Sequence, residues 1–186
     1  MTNHPNPLYI PVEDYLQGEE YSNFKHEYNN GKIYAMAGAS KAHVIIALNL
    51  ASMLRNHLRG SDCITYIADM KVRIETSNIF YYPDIVVSCD PKDKNSEQFL
   101  DYPCLIVEVL SPTTEAFDRG HKFAHYRSIN TLQEYLLINQ DTPKIECYKL
   151  NLAKRWELYP YSLNDEIHLV SLDFRCLVSD IYENVF

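Results

Sequence analysis

Apolar and polar positions repeat with two different periods along this chain, and the switches between periods mark out its elements. From Ser40 to Arg59 the residues Val44, Ala47, Leu48, Ala51 and Leu54 recur at helical spacing. That pattern predicts a helix with Ser40 as N-cap, Gly60 as stop and those five side chains as the core-facing stripe. A shorter helix is expected over residues 11–18, with Pro11 at its first position and Gly18 ending it. A third, HKFAHYRSI, is expected after the loop SPTTEAFDRG.

Elsewhere the period falls to two or the apolar run is continuous. ITYIADMKVRI (64–74), FYYPDIVVS (80–88), CLIVEVL (104–110), EYLLINQ (134–140), KIECYKL (144–150) and RWELYPY (155–161) read as strands. Asn29-Asn30-Gly31 suits the positive φ angles of a tight turn and predicts a hairpin within FKHEYNNGKIYAMAG. The last segment, FRCLVSDIYENVF, reads as an edge strand and a short helix. No repeat or flexible linker interrupts the series, so residues 1–186 are read as a single domain. Its class is a mixture of α/β and α+β, with helices packed on a central sheet.

One residue breaks the pattern. Glu108 interrupts CLIVEVL, a run whose composition belongs to a strand covered on both faces. A buried carboxylate without a partner would sooner become neutral, so Glu108 calls for a cation of the chain, a wet cleft or a metal ion. Lys71 and Arg73 are the bland partners for such an ion pair, which would be costly and of uncertain benefit. One strand earlier, Asp84 follows Pro83 and shares a face with Val86 by alternation. It either begins a strand beside a turn or, if its strand neighbours that of Glu108, forms a carboxylate pair suited to Mg²⁺ or Mn²⁺.

The window DRGHKFAHYR gathers Arg119, His121, Lys122, His125 and Arg127 against one acid, Asp118. Lys122 and Tyr126, at i and i+4, would share one side of its helix, over the same sheet face as Glu108. Two carboxylates, a lysine and local positive charge are the parts needed for metal-assisted hydrolysis of a phosphodiester. Singly, Lys122 reads as well as a solvated helix lysine.

Composition narrows the field. Hydrophobic residues are 46% and charged residues 23%, ordinary for a globular protein and unlike a disordered one. No apolar run reaches the roughly 20 residues of a membrane helix, and the first residues show neither a basic nor an apolar signal region, so a cytoplasmic protein is expected. The formal net charge of −8 argues against gripping nucleic acid by bulk positive field, though not against a local site that uses a divalent ion. The five cysteines, Cys63, Cys89, Cys104, Cys147 and Cys176, are scattered with no CxxC pair and read as structural thiols. Most of the 15 tyrosines fall within strand patterns and read as packing; Tyr126, beside Lys122, is the exception. Neither a G-x-S-x-G elbow nor the H-x-E and P-C-x-x-C signature of a zinc deaminase is present.

These residues carry a resemblance. Pro83-Asp84, EVLSPTT at 108–114, the series Asp118, Lys122 and Tyr126, and EYL at 134–136 resemble the Uma (Uma-two) family of bacterial endonucleases. That family lies in the PD-(D/E)XK restriction-endonuclease-like superfamily. The resemblance covers most of the chain, and EVLSPTT is its most specific mark. It implies a central mixed sheet flanked by helices, with Asp84 and Glu108 binding Mg²⁺ (or Mn²⁺) to cleave nucleic acid, in the first instance DNA.

The eponymous lysine two positions after the acid is absent, since Val109 and Leu110 follow Glu108. The resemblance implies that Lys122 replaces it from the next helix. Glu27, in the hairpin, and His43, on the first long helix, match family positions and are given supporting roles; each also reads as an ordinary surface or structural residue. A homodimer would suit the cutting of both strands of a duplex. The alternative is a catalytically inactive nucleic-acid-binding or protein-interaction module on the same fold.

Overall fold

The computed structural model describes residues 9–186. The N-terminal helix α1 (Val12–Tyr21) leads into the hairpin β1 (His26–Asn29) and β2 (Lys32–Ala35), and then the long helix α2 (Lys41–His57). The turn is the expected one: Asn30 and Gly31 take φ angles of 44° and 91°. Ser40 caps α2 by accepting a hydrogen bond from the amide of His43 at 3.1 Å.

Next come β3 (Ile64–Ile67), β4 (Lys71–Ile74), β5 (Ile79–Tyr81), β6 (Ile85–Ser88), β7 (Phe99–Leu100) and β8 (Pro103–Leu110). Helical turns follow as α3 (Glu115–Phe117), a π-turn (Asp118–Lys122) and α4 (Phe123–Tyr126). The chain ends with β9 (Glu134–Asn139), β10 (Lys144–Leu150), β11 (Trp156–Ser162), the hairpin β12 (Glu166–Leu169) and β13 (Phe174–Leu177), and α5 (Val178–Ile181).

The mixed α/β class read from the sequence is the one observed, with its strands divided between a six-stranded sheet, β11-β10-β9-β8-β6-β3, and a five-stranded one, β2-β1-β5-β4-β7. A separate two-stranded ribbon pairs β12 with β13. In the larger sheet β8 pairs antiparallel with β6 and parallel with β9. All eight residues of β8 are buried, as a central strand covered on both faces requires. Leu105, Val107 and Val109 pack with Ile46, Leu50 and Leu54 of α2, while Ile106 and Leu110 pack with Phe123, Tyr126 and Tyr135. Glu108 belongs by alternation to the second set and faces the helix that carries Lys122.

Two of the expected strands are each two strands, one in either sheet. The first breaks between β3 and β4, where Ala68 takes φ 43°. The second breaks between β5 and β6 at Tyr82-Pro83-Asp84, where Pro83 lacks a ladder donor. The breaks lie side by side, the amide of Ala68 donating to the carbonyl of Asp84 at 3.1 Å. The chain thus crosses from one sheet to the other along a single seam, and Asp84 stands on it.

Four local expectations need correction. Val44 and Leu48 are 53% and 56% exposed, and the buried face of α2 is Ile46, Leu50, Ala51 and Leu54. The first half of this helix is apolar nearly all round, so spacing alone left its phase open. Helix α1 passes through Gly18 to Tyr21, because Glu19 is needed beyond it: its carboxylate accepts from the His26 amide at 3.1 Å and from the Tyr82 hydroxyl at 2.9 Å. That outweighs the roughly 1 kcal/mol a helical glycine costs. The third helix starts at Glu115, inside the segment read as a loop. Finally, Cys63 and Cys89 form a disulfide, since the pairing of Ile64 with Ser88 brings them opposite each other; Cys104, Cys147 and Cys176 are free thiols. Burial pushes those three thiols up to about 12, so they stay protonated at neutral pH.

Candidate active site

Asp84 and Glu108 occupy adjacent strand positions at the seam. β6 and β8 pair Ile85 with Val107, and one step further along that register stand Asp84 and Glu108. The Asp84 carboxylate is fixed from two sides: Oδ2 accepts from the backbone amide of Val109 at 2.7 Å, and Oδ1 lies 2.8 Å from Nε2 of His43 on α2. Each oxygen keeps a second lone pair for a further ligand.

Glu108 is 3% exposed, and neither Lys71 nor Arg73 partners it. Lys71 donates to the hydroxyl of Tyr82 and Arg73 forms a two-pronged ion pair with Asp101 at 2.7 and 2.8 Å. The partner of Glu108 is Lys122, whose Nζ donates to Oε1 at 3.2 Å; the hydroxyl of Tyr126 donates to the same oxygen, also at 3.2 Å. The i and i+4 side chains therefore converge on one carboxylate. Among the described residues both of these bonds fall on Oε1.

Lys122 is shared. Its Nζ lies 3.0 Å from Oε1 of Glu27 on β1 and 3.4 Å from Oδ1 of Asp118, close enough to pair as ions. Those two oxygens are buried and make no hydrogen bond among the described residues. The ammonium also sits 5.5 Å from the centre of the Tyr81 ring, a cation–π contact. Tyr81 in turn shares a hydrogen bond of 2.8 Å with Nδ1 of His125, and the Tyr135 hydroxyl donates to the Asp118 carbonyl at 3.0 Å.

The electrostatics follow from that crowding. Burial raises the Glu108 carboxyl well above its usual range, with Lys122 pulling it back and Asp118, Asp84 and Glu27 pushing it further up. Burial likewise raises Asp118, again opposed by Lys122. For Lys122 burial acts downward, but Glu108, Glu27 and Asp118 together outweigh it and hold the amine above its ordinary value. Lys122 is therefore an ammonium at any physiological pH. Three carboxylates, Glu27, Glu108 and Asp118, stand around a single lysine, and Asp84, held by His43, adds to the field at Glu108, which leaves an excess of negative charge.

All six residues singled out in the sequence fall in this one region: Asp84 with His43 on one side, and Glu27, Glu108, Lys122 and Tyr126 on the other. Asp118 completes the set. Its sequence signal was present, four residues before Lys122 in the same series, yet nothing in the pattern separated it from a solvated acid of a loop. Tyr81 gave no signal beyond its strand.

The family model described as "Putative restriction endonuclease", Uma2, matches residues 12–179. The chain belongs to the Uma2 family. Two relatives in Synechocystis sp. are similar over most of their length. The uncharacterised protein slr1290 is 43% identical over 181 residues, covering 97% of this chain and 95% of that one. The uncharacterised protein sll1609 is 37% identical over 151 residues, covering 80% and 85%. Among solved structures, a crystal structure described as "a putative nuclease belonging to DUF820" from Anabaena variabilis superposes with a TM-score of 0.74 over 89% of this chain and 93% of that one. At 16% identity that likeness is one of fold. The Uma2 match takes in both sheets, the seam and every residue of the cluster. Among the described residues no helix is long and apolar enough to cross a membrane.

Proposed function

We propose that this Uma2 protein is a divalent-metal-dependent nuclease that hydrolyses phosphodiesters of DNA. The observation that carries the reading is the placing of Asp84 and Glu108 side by side on adjacent strands at the seam, next to a lysine that three carboxylates share. Among the described residues no three His, Cys, Asp or Glu side chains converge as a ready-made metal cage. A pair of hard oxygen donors is nonetheless what Mg²⁺ or Mn²⁺ takes when water and phosphate oxygens complete its shell. Asp84 and Glu108 would hold the ion, and Oε1 of Glu27, now ion-paired with Lys122, is a further buried oxygen of the right kind. When bound, the ion supplies positive charge on the phosphate and lowers the pKa of a coordinated water.

The chain's own residues do the rest. Lys122 is a fixed positive donor and not a proton acceptor, because three carboxylates keep it charged. Tyr126 holds the Glu108 carboxylate from below, and His43 holds Asp84 against rotation. With both oxygens of Asp84 already oriented, little ordering remains to be done when a cation arrives.

Calorimetric titration of Mn²⁺ tests this directly. The parent should bind one ion, and Asp84→Ala and Glu108→Ala should each lose it. His43→Ala should keep the site but weaken it by about 10- to 100-fold, the usual effect of removing a partner that orients a ligand. A parent that binds no Mn²⁺, alone or with an oligonucleotide, ends the metal reading. The direct Lys122–Glu108 bond then favours a second reading, a non-cutting member of the fold in which the cluster is a structural ion pair.

A further inference from the structure

The carboxylate–lysine cluster has a half-exposed aromatic ring at each of two sides. On the hairpin side, Tyr34 is the cross-strand partner of Glu27, so the two side chains leave the same face of the β1–β2 ribbon about 5 Å apart at their Cβ atoms. Glu27 reaches Lys122 from there, yet Tyr34 remains 52% exposed. On the helical side, Phe117 immediately precedes Asp118 and is 36% exposed. Its ring lies 5.9 Å from that of Tyr81, edge-on, and 5.8 Å from that of His121. Tyr81 is the ring beneath Lys122, so Phe117, Tyr81 and the ammonium form one continuous wall.

Two of the cations nearest the cluster in sequence are already engaged. Arg119 pairs with both Glu115 and Glu146, and Lys25 pairs with Asp69. With a net charge of −8, the chain offers little field to hold a duplex by its phosphates. Stacking on neutral aromatic faces needs no such field, and it needs a base that is out of its pair.

Resting on the nuclease reading of the same site, we infer that the substrate form is single-stranded DNA, and that Tyr34 and Phe117 are specificity residues on which unpaired bases stack beside the cleaved phosphate. Such a substrate engages one site at a time, so a paired second site is not required for a cut.

The test is fluorescence anisotropy of labelled oligothymidine and of the corresponding blunt oligo(dA)·oligo(dT) duplex, in a Glu108→Gln background that prevents cleavage. Oligothymidine should bind at least about tenfold more tightly than duplex, and adding Tyr34→Ala or Phe117→Ala should weaken it by about tenfold each, within the range for one lost base–aromatic stack. Tyr34→Phe should bind like its background, because the ring and not the hydroxyl is used. Both rings are partly exposed, so folding of the variants is checked simply by circular dichroism. Equal affinity for duplex, no binding of oligothymidine, or alanine variants that bind unchanged would each overturn the inference. Mn²⁺ held by Asp84 and Glu108 alongside any of those results would leave the nuclease reading standing and remove only the single-strand assignment.

Discussion

Replacing Lys122 with methionine is expected to destabilise the fold by about 3–5 kcal/mol at neutral pH, the scale for breaking a buried ion pair from one side. Three carboxylates within 3.4 Å of the ammonium would be left facing one another in a dry environment. The loss should shrink in acid. Glu108 and Asp118 have folded pKa values raised above their unfolded ones, so each favours the native state most below its unfolded value, about 4.3 for Glu and 3.9 for Asp. That contribution is lost as pH rises through the folded values, and without Lys122 those values lie higher still. Lys122 itself is raised, so its contribution in the parent holds up to the ordinary lysine value and fades only above it. Urea denaturation at pH 7 and near the carboxylate range measures the difference. An equal deficit at both would mean that the lysine acts through its packing and not through its charge.

Glu108→Gln is expected to do the opposite to stability while abolishing function. The amide fills the same space and its Oε1 can still accept from Tyr126, while Lys122 keeps Glu27 and Asp118 as counter-charges. What disappears is the cost of holding a charged carboxylate 3% exposed among three other acids. The metal-free variant should gain roughly 1 kcal/mol at pH 7, a typical return when a functional site is relieved of its strain. The gain should vanish in acid, where Glu108 is protonated in the folded and unfolded chain alike. DNA cleavage should fall to background in the same variant. A variant that cleaves at the parental rate would remove Glu108 from the mechanism; one that is less stable than the parent would show that its bond to Lys122 outweighs the burial cost.

How far the sequence anticipated this arrangement depends on which residues had only one place to go. Glu108 was legible because an acid inside an otherwise apolar strand has few tolerable environments. The helix cap at Ser40 was legible because a free helix amide needs a side-chain acceptor, and the Asn30-Gly31 turn because its positive φ angles demand those residue types. The sheet division was not, since ITYIADMKVRI and FYYPDIVVS have strand composition on both sides of each break, and only tertiary pairing decides that the halves join different sheets. The phase of α2 was hidden by Val44 and Leu48, apolar residues that the fold leaves outside. Asp118 was named in the family series without a role in the site, and only the winding of the chain into a π-turn brings it to 3.4 Å from Lys122.

Where an acid and its lysine stand two residues apart on one strand, the rise of the strand fixes their separation at about 6.6–6.8 Å along the axis, much as marks are fixed on a ruler. In this chain Lys122 follows Glu108 by fourteen positions, with a loop and a π-turn on the way. Their 3.2 Å contact is therefore maintained by an interface: Phe123 stacked on Tyr135 at 5.0 Å, Tyr126 against the same ring at 5.6 Å, and both seated on Ile106 and Leu110. The reach of the lysine becomes an elastic quantity, as stiff as that aromatic layer and no stiffer. Whatever loosens the layer detunes the site while every strand of the scaffold is still in place.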